Sequence, residues 1–203
     1  MSLGMKILAL GLMAVALASV LYLRALVQQL SEVPYLPTAE ARVQLKESIL
    51  GSAPGEPQTI SLFFPVPGEG MLRREERTLT LVSAAPDRVR QILMALREGS
   101  REGLEGAIPA ETQIRAVYLA PDGIVYVDFD QTLERAVSPG IRSETLTIYA
   151  IVNTLAVNLP SIQQVRILLE GREAETLAGH ADLSRAYTPD PSWVEPTLPN
   201  PDR

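Results

Sequence analysis

Apolar positions along the 203-residue chain follow two kinds of pattern, one continuous and one periodic. The continuous one is ILALGLMAVALASVLYL at residues 7–23, which holds no charge and is flanked by Lys6 and Arg24. The periodic ones begin near residue 58. TISLFFP at 59–65 alternates, with Ile60, Leu62 and Phe64 on one face, and predicts a strand ended by Pro65 and Pro67. RTLTLVS at 77–83 alternates again, with Leu79 and Leu81 on one face. Pro86 and Asp87 then open a helix, since proline suits the first helical positions and aspartate favours the positive end of the helix dipole. Val89, Ile92, Leu93 and Leu96 follow at i, i+3, i+4, i+7, and Gly99 ends the helix. After a loop with Gly103, Gly106 and Pro109, residues 112–120 and 124–130 form two strands around Pro121-Asp122-Gly123, a strong hairpin signal. A second helix spans 143–158, with Ser143 as N-cap and Glu144 in its first turn; it is apolar nearly all round and so predicted to be buried on more than one side. Residues 164–169 form a further strand. Gly171-Arg172 turns toward a short returning segment at 174–177, which is a candidate extra strand.

This order of elements predicts an α/β (α+β) domain, a small mixed sheet with two helices packed on one face, over residues 58–187. The flanks differ. At about 1.5 Å per residue the apolar run spans about 26 Å, close to the shortest helix that crosses a bilayer core. Residues 1–27 are therefore read as a signal-anchor or transmembrane segment, with the helix at 5–27. The alternative is a cleaved secretory signal, for which Ala16-Leu17-Ala18 before Ser19 supplies the pattern. Uncleaved anchorage is favoured because Leu21, Tyr22 and Leu23 run on without a polar region. Flanking charges say little about orientation, and a large domain behind one N-terminal span is usually exported. Residues 28–57, punctuated by Pro34, Pro37, Gly51, Pro54, Gly55 and Pro57, read as a tether with a short helix at 38–50. Residues 188–203 carry five prolines and read as an extended, mobile tail whose one aromatic residue, Trp193, either docks back on the domain, the favoured reading, or serves as a peptide-like contact.

Composition narrows the chemistry. There is no cysteine, which excludes disulfides, thiolate metal sites, cysteine nucleophiles and a lipid-modified N-terminal cysteine. One histidine and a net charge of −6 argue against histidine-rich metal sites and nucleic-acid binding. Asp128 and Asp130 sit two apart on a predicted strand and share a face, where they could hold a cation or act as an acid/base pair; no third ligand is placed, and a solvated strand face is the simpler reading. His180, Asp182 and Ser184 fall within five residues, but no G-x-S-x-G elbow accompanies them, so a loop histidine bonded to its neighbours is favoured. Glycine-rich phosphate loops are absent, and Asn153 is read as a structural hydrogen-bonding residue. The expectation is no enzyme, no catalytic, cofactor or metal site, and no cofactor.

Five stretches in order resemble the GerMN domain, named from sporulation and spore germination proteins: LREGSREGLEGAIP at 96–109, VYVDF at 125–129, SETLTIYAIVNTL at 143–155, PSIQQVRILLEG at 160–171 and TLAGHADLS at 176–184. The resemblance covers about 60–187. It implies an exported, membrane-tethered α/β domain without known catalysis, similar to ring-building modules of envelope-spanning complexes. The chain departs from the sporulation proteins in carrying one copy rather than two, and a helix rather than a lipoprotein cysteine. The expected role is a cell-envelope interaction or scaffold module that docks an envelope protein or copies of itself, with Arg88, Arg90, Arg97 and Arg101 on the first helix as a candidate interface. The alternative is cell-wall glycan or small-ligand binding through Tyr118, Tyr126 and the Asp128/Asp130 face.

Overall fold

A computed structural model describes residues 54–196. The apolar run at 7–23, the helix at 38–50, nearly all of the tether and the chain from 197 onward lie outside the described residues. Among the described residues, no helix is long and apolar enough to cross a membrane.

The chain folds as β1 (Pro54–Pro65), β2 (Leu72–Val82), α1 (Ala85–Arg97), β3 (Ile114–Leu119), β4 (Ile124–Phe129), α2 (Thr132–Ala136), α3 (Ile141–Asn158) and β5 (Gln164–Leu169), with a 3-10 turn at Pro191–Trp193. It is a mixed α/β domain, but the strands form two sheets rather than the single one expected. β1 and β2 make an antiparallel pair, and β3-β4-β5 make a separate sheet in which β4 runs antiparallel to β3 and parallel to β5. The separation has a local cause. The outer edge of β1 is occupied by side chains of α3, because Ser61 donates its N–H to Asn158 Oδ1 (2.9 Å), Asn158 Nδ2 donates to Ser61 C=O (2.7 Å), and Phe63 N–H reaches Thr154 Oγ1 (3.1 Å). A helix therefore stands where a third strand would pair.

α3 is the centre of the domain. One side packs on β1 and another on β5, which is why its residues are apolar in nearly every direction. Ile148, Ile151, Val152 and Leu155 are fully buried, as are Val89, Ile92, Leu93 and Leu96 of α1. These close over the sheet face that carries Val125, Val127, Phe129, Val165 and Ile167.

Element ends differ from the expected ones where polar groups decide. β1 starts at Pro54, inside the stretch assigned to the tether. β2 starts at Leu72, five residues before the apolar alternation, because Glu75 and Arg77 face inward as a pair. α2 had no periodic signal; only its Leu133 is buried. α3 begins at Ile141 with Gly140 as N-cap, and Ser143 instead donates its hydroxyl to the carbonyls of Ser138 and Gly140. The segment at 174–177 makes one isolated bridge, Thr176 with Asp182, and no strand. The hairpin forms as expected, with Ala120 N–H on Ile124 C=O (2.8 Å). Gly123 there has φ 83°, a left-handed conformation that favours glycine, and a Cβ would also sit tightly, 3.2 Å from Ser161 C=O.

Two substitutions separate these layers. Ile151→Ala in the α3 core is expected to lower unfolding free energy by about 2–5 kcal/mol. Asn158→Ala strands the Ser61 backbone groups and is expected to lower it by about 1–3 kcal/mol. Urea denaturation followed by circular dichroism measures both.

Candidate functional site

The histidine that sequence reading placed beside Asp182 and Ser184 is turned the other way. His180 Nδ1 lies 2.7 Å from Glu144 Oε1, and Glu144, in the first turn of α3, is fully buried. Its Oε2 accepts three backbone N–H groups of one loop, from Ala178 (3.1 Å), His180 (3.0 Å) and Ala181 (2.8 Å), while Oε1 accepts Gly140 N–H (3.1 Å) at the helix start. Burial pushes the carboxyl up, but the N–H groups of Ala181 and Gly140, the His180 ring and the N–H of Ala178 outweigh it and hold the group at about 2. An ionised carboxylate only accepts, so His180 Nδ1 carries the hydrogen. Asp182 and Ser184 form their own turn, with Ser184 N–H (2.8 Å) and hydroxyl (2.6 Å) on Asp182 Oδ1. The three residues therefore build a loop anchor and a turn, with no relay among them.

Asp128 and Asp130 are also used separately. Asp128 is buried, not solvated as expected, because its Oδ1 accepts Gly171 N–H (2.7 Å) and Arg115 lies 3.6 Å from Oδ2. Asp130 lies just past β4 and accepts Gln113 N–H (2.8 Å) and the Thr132 hydroxyl (2.6 Å). Burial pushes its carboxyl up, yet those two donors and Thr132 N–H together hold it below the ordinary range. Among the described residues, no group of three or more histidine and acidic side chains could hold a metal ion.

A buried ion pair was not visible from spacing. Arg77 donates from Nε and Nη2 to Glu75 Oε1 (2.7 and 2.6 Å) and from Nη1 to Ala95 C=O (3.0 Å), and it also bonds Gly99 C=O. Glu75 Oε2 accepts the Ser100 hydroxyl (2.6 Å) and Arg101 N–H (3.0 Å). The pair thus ties β2 to the end of α1. The run RREER in the sequence was the available signal, since a strand through it must turn some charges inward.

Three of the four arginines on and just after α1 are committed to the chain's own backbone. Arg88 donates to Val82 C=O (3.2 Å), Arg90 to Ile114 and Arg115 C=O, and Arg97 to Thr112 C=O (2.8 Å), while Arg101 lies 3.9 Å from Glu98. The guanidinium groups of Arg88, Arg90 and Arg97 cap loops and a strand end, while Arg101 is exposed, so most of the row is already engaged within the domain.

Strand edges are mostly covered. α3 caps β1, and Tyr187 exchanges both backbone bonds with Val165 along β5 (2.8 and 2.9 Å). The β2 edge meets Val194 and Glu195 at Leu72 and continues with an Arg74–Glu76 ion pair (2.7 Å), the kind of charge that blunts an edge. β3 differs. The Ala120–Ile124 bond and a two-residue period make Tyr118–Tyr126 a bonded pair, which turns the backbone groups of Val117 and Leu119 outward. Among the described residues nothing pairs with them. Tyr118 is 60% and Leu119 37% exposed. A depression of about 410 Å³, lined by Leu119, Pro121, Ile124, Ser161 and Gln163 among others, continues this edge at the hairpin end.

The described residues thus form a two-sheet α/β domain with one apolar open edge and with its notable carboxylates satisfied largely by backbone donors. A family model described as Sporulation and spore germination, the Germane family, matches residues 61–175, and the chain belongs to that family. No curated protein matches. Among solved structures, the tandem GerMN domains of the sporulation protein GerM from Bacillus subtilis share the fold, with a TM-score of 0.50 at 16% identity over 69% of this chain. The match covers 48% of that chain, so the present chain spans about half of the tandem. The first GerMN domain of the same protein matches at TM-score 0.48 and 21% identity, over 63% of this chain and 98% of that one. A candidate lipoprotein from Clostridium perfringens matches at 0.46 and 21%, over 65% and 87%.

Glu144 sets an acid limit. Its folded pKa of about 2 lies below the ordinary 4.5, so its contribution is fully present above pH 4.5 and is lost as pH falls from there toward 2. The expected loss is about 3 kcal/mol across that window. Glu144→Gln should lower stability at neutral pH and flatten the acid limb, as measured by urea denaturation at stepped pH.

Proposed function

We propose that this chain is a non-catalytic, membrane-anchored module of the cell envelope that docks a protein partner, or further copies of itself, by strand addition at the outer edge of β3. The observation that carries this reading is the unpaired Val117–Leu119 backbone beside exposed Tyr118 and Leu119, in a domain whose other edges are capped or charged. An incoming extended segment would gain main-chain hydrogen bonds there, and alternate side chains would supply selectivity. The apolar run at 7–23 supplies the anchor, the residues between it and β1 the tether, and the domain that begins with β1 at Pro54 faces the extracytoplasmic side. Membership in a sporulation and spore germination family supports the same setting. Glycan binding is less favoured, because the carboxylates meant to accompany Tyr118 and Tyr126 already accept backbone and hydroxyl hydrogens.

A photo-crosslinking residue in place of Tyr118, irradiated in intact membranes, is expected to give reproducible adducts. Leu119→Pro removes an outward N–H without touching the β3–β4 ladder and should abolish them. Monomer alone, or adducts indifferent to Leu119→Pro, would overturn the reading. Sedimentation with purified peptidoglycan should leave the protein in the supernatant; retention in the pellet would favour the glycan reading instead.

A further inference from the structure

Residues 190–195 lie on the domain in the manner of a bound peptide. Asn153 of α3 clamps the Asp190 backbone from both sides, accepting its N–H (2.9 Å) and donating to its C=O (3.0 Å). Asp190 Oδ1 accepts Ser192 N–H (2.9 Å) and shapes the short turn that follows. Trp193 stacks on Tyr149, with centroids 5.4 Å apart and planes at 15°, and Tyr149 meets Tyr187 edge-on at 5.7 Å. Val194 then pairs in parallel with Leu72, Glu195 N–H donates to Leu72 C=O (2.8 Å), and Arg73 grips the Glu195 carboxylate with two bonds (2.6 and 3.1 Å). Because Ser61 and Phe63 turn their N–H groups to α3, the β2 groups facing away from β1 are those of Leu72 and alternate residues after it. The segment therefore begins a third strand on the β1–β2 pair.

A backbone clamp, an aromatic anchor, strand addition and a charged end are four recognition elements acting on six residues. With the segment in place the Asn153 amide is only 4% exposed and the Tyr149 ring is covered by Trp193, so departure uncovers both and a refilled groove restores both contacts. The connection to the domain is Thr188-Pro189, and Tyr187 keeps its own bonds to Val165 when the segment leaves. Pro189 and Pro191 hold the connection extended, which favours reaching outward over folding back.

We propose that the groove between α3 and the outer edge of β2 is a peptide-binding site whose second occupant is the 188–196 segment of another copy of this chain, seated in trans. Every copy carries both the groove and its ligand, so exchange needs no new contact, only a neighbour. Anchorage in one membrane, on the reading above, supplies neighbours at high local concentration.

The chain has no cysteine, so introduced pairs report cleanly. In full-length protein, R73C/E195C in one chain is expected to close a disulfide on mild oxidation. Membranes that hold a mixture of the R73C and E195C single variants are expected to form a disulfide heterodimer well above either homodimer. Adding Asn153→Ala to the R73C chain should lower its yield about tenfold or more through loss of the clamp. A double variant that fails to close overturns the groove. Closure within one chain without heterodimer from the mixture, or a heterodimer indifferent to Asn153→Ala, overturns occupancy in trans. Leu119→Pro should leave the heterodimer unchanged, which separates this site from docking at β3. Circular dichroism of each variant establishes that the comparison is between folded proteins.

Discussion

The carboxylate of Glu144 is buried without a cationic side chain fixed beside it in the interior, and four backbone N–H groups together with His180 make that tolerable. A charge taken out of water demands this number of donors, and each donor fixes a piece of chain. Through Gly140 it sets where α3 begins. Through Ala178, His180 and Ala181 it pulls the loop after β5 against the start of that helix, and so lets Leu177, Ala181 and Leu183 enter the core. The apolar contacts around α3 supply most of the burial, but the carboxylate decides the angle at which the loop closes over them.

A comparable logic governs the edges. α3 stands between two sheets, and its two sides are finished differently. Toward β5 it offers apolar side chains to a sheet face. Toward β1 it offers Thr154 and Asn158, which imitate the hydrogen bonding of a strand. Glu75 and Arg77 do similar work in the first half of β2, where an ion pair with carbonyl and hydroxyl partners joins strand to helix. A buried pair of this kind adds little net stability but penalises alternative packings heavily, since any slip leaves a charge uncompensated. With the interior specified by polar contacts, the open edge of β3 stands out as a place where the domain has left hydrogen bonds unmade.

Much of this was legible from the chain. β1, β4, β5, α1 and α3 each bury one apolar face or more, and periodicity reports that directly, while β3, which buries only Ile114, was legible through its hairpin turn. β2 was half visible, since its first residues pair charges inward and carry no alternation of apolar type. The division into two sheets had no local sign, because Asn158 and Thr154 read as the polar residues of a helix end until β1 is brought beside them. Glu144 read as an acid suited to a helix start, which it is; its larger role needs a loop more than thirty positions away. Asp128 and His180 drew attention as reactive types, and the structure employs both to hold turns. The tail shows the reverse case. Proline content suggested mobility, while Asn153, Tyr149 and Arg73, none of them near in sequence, seat its first part on the domain.

The bond between Ser61 and Asn158 joins residues 97 positions apart, and it has a consequence for how the molecule comes into being. A chain that emerges amino end first presents β1 and β2 long before α3 exists to cover them. For that interval the ribbon has one edge bare and a face of Ile60, Leu62 and Phe64 unburied, so closure waits on late-arriving segments and is slow in the way that long-range topologies are slow. Folding of this domain is thus governed from its carboxyl half. Anything that shelters the emerging chain must keep the early half apart from its neighbours until residue 158 has followed.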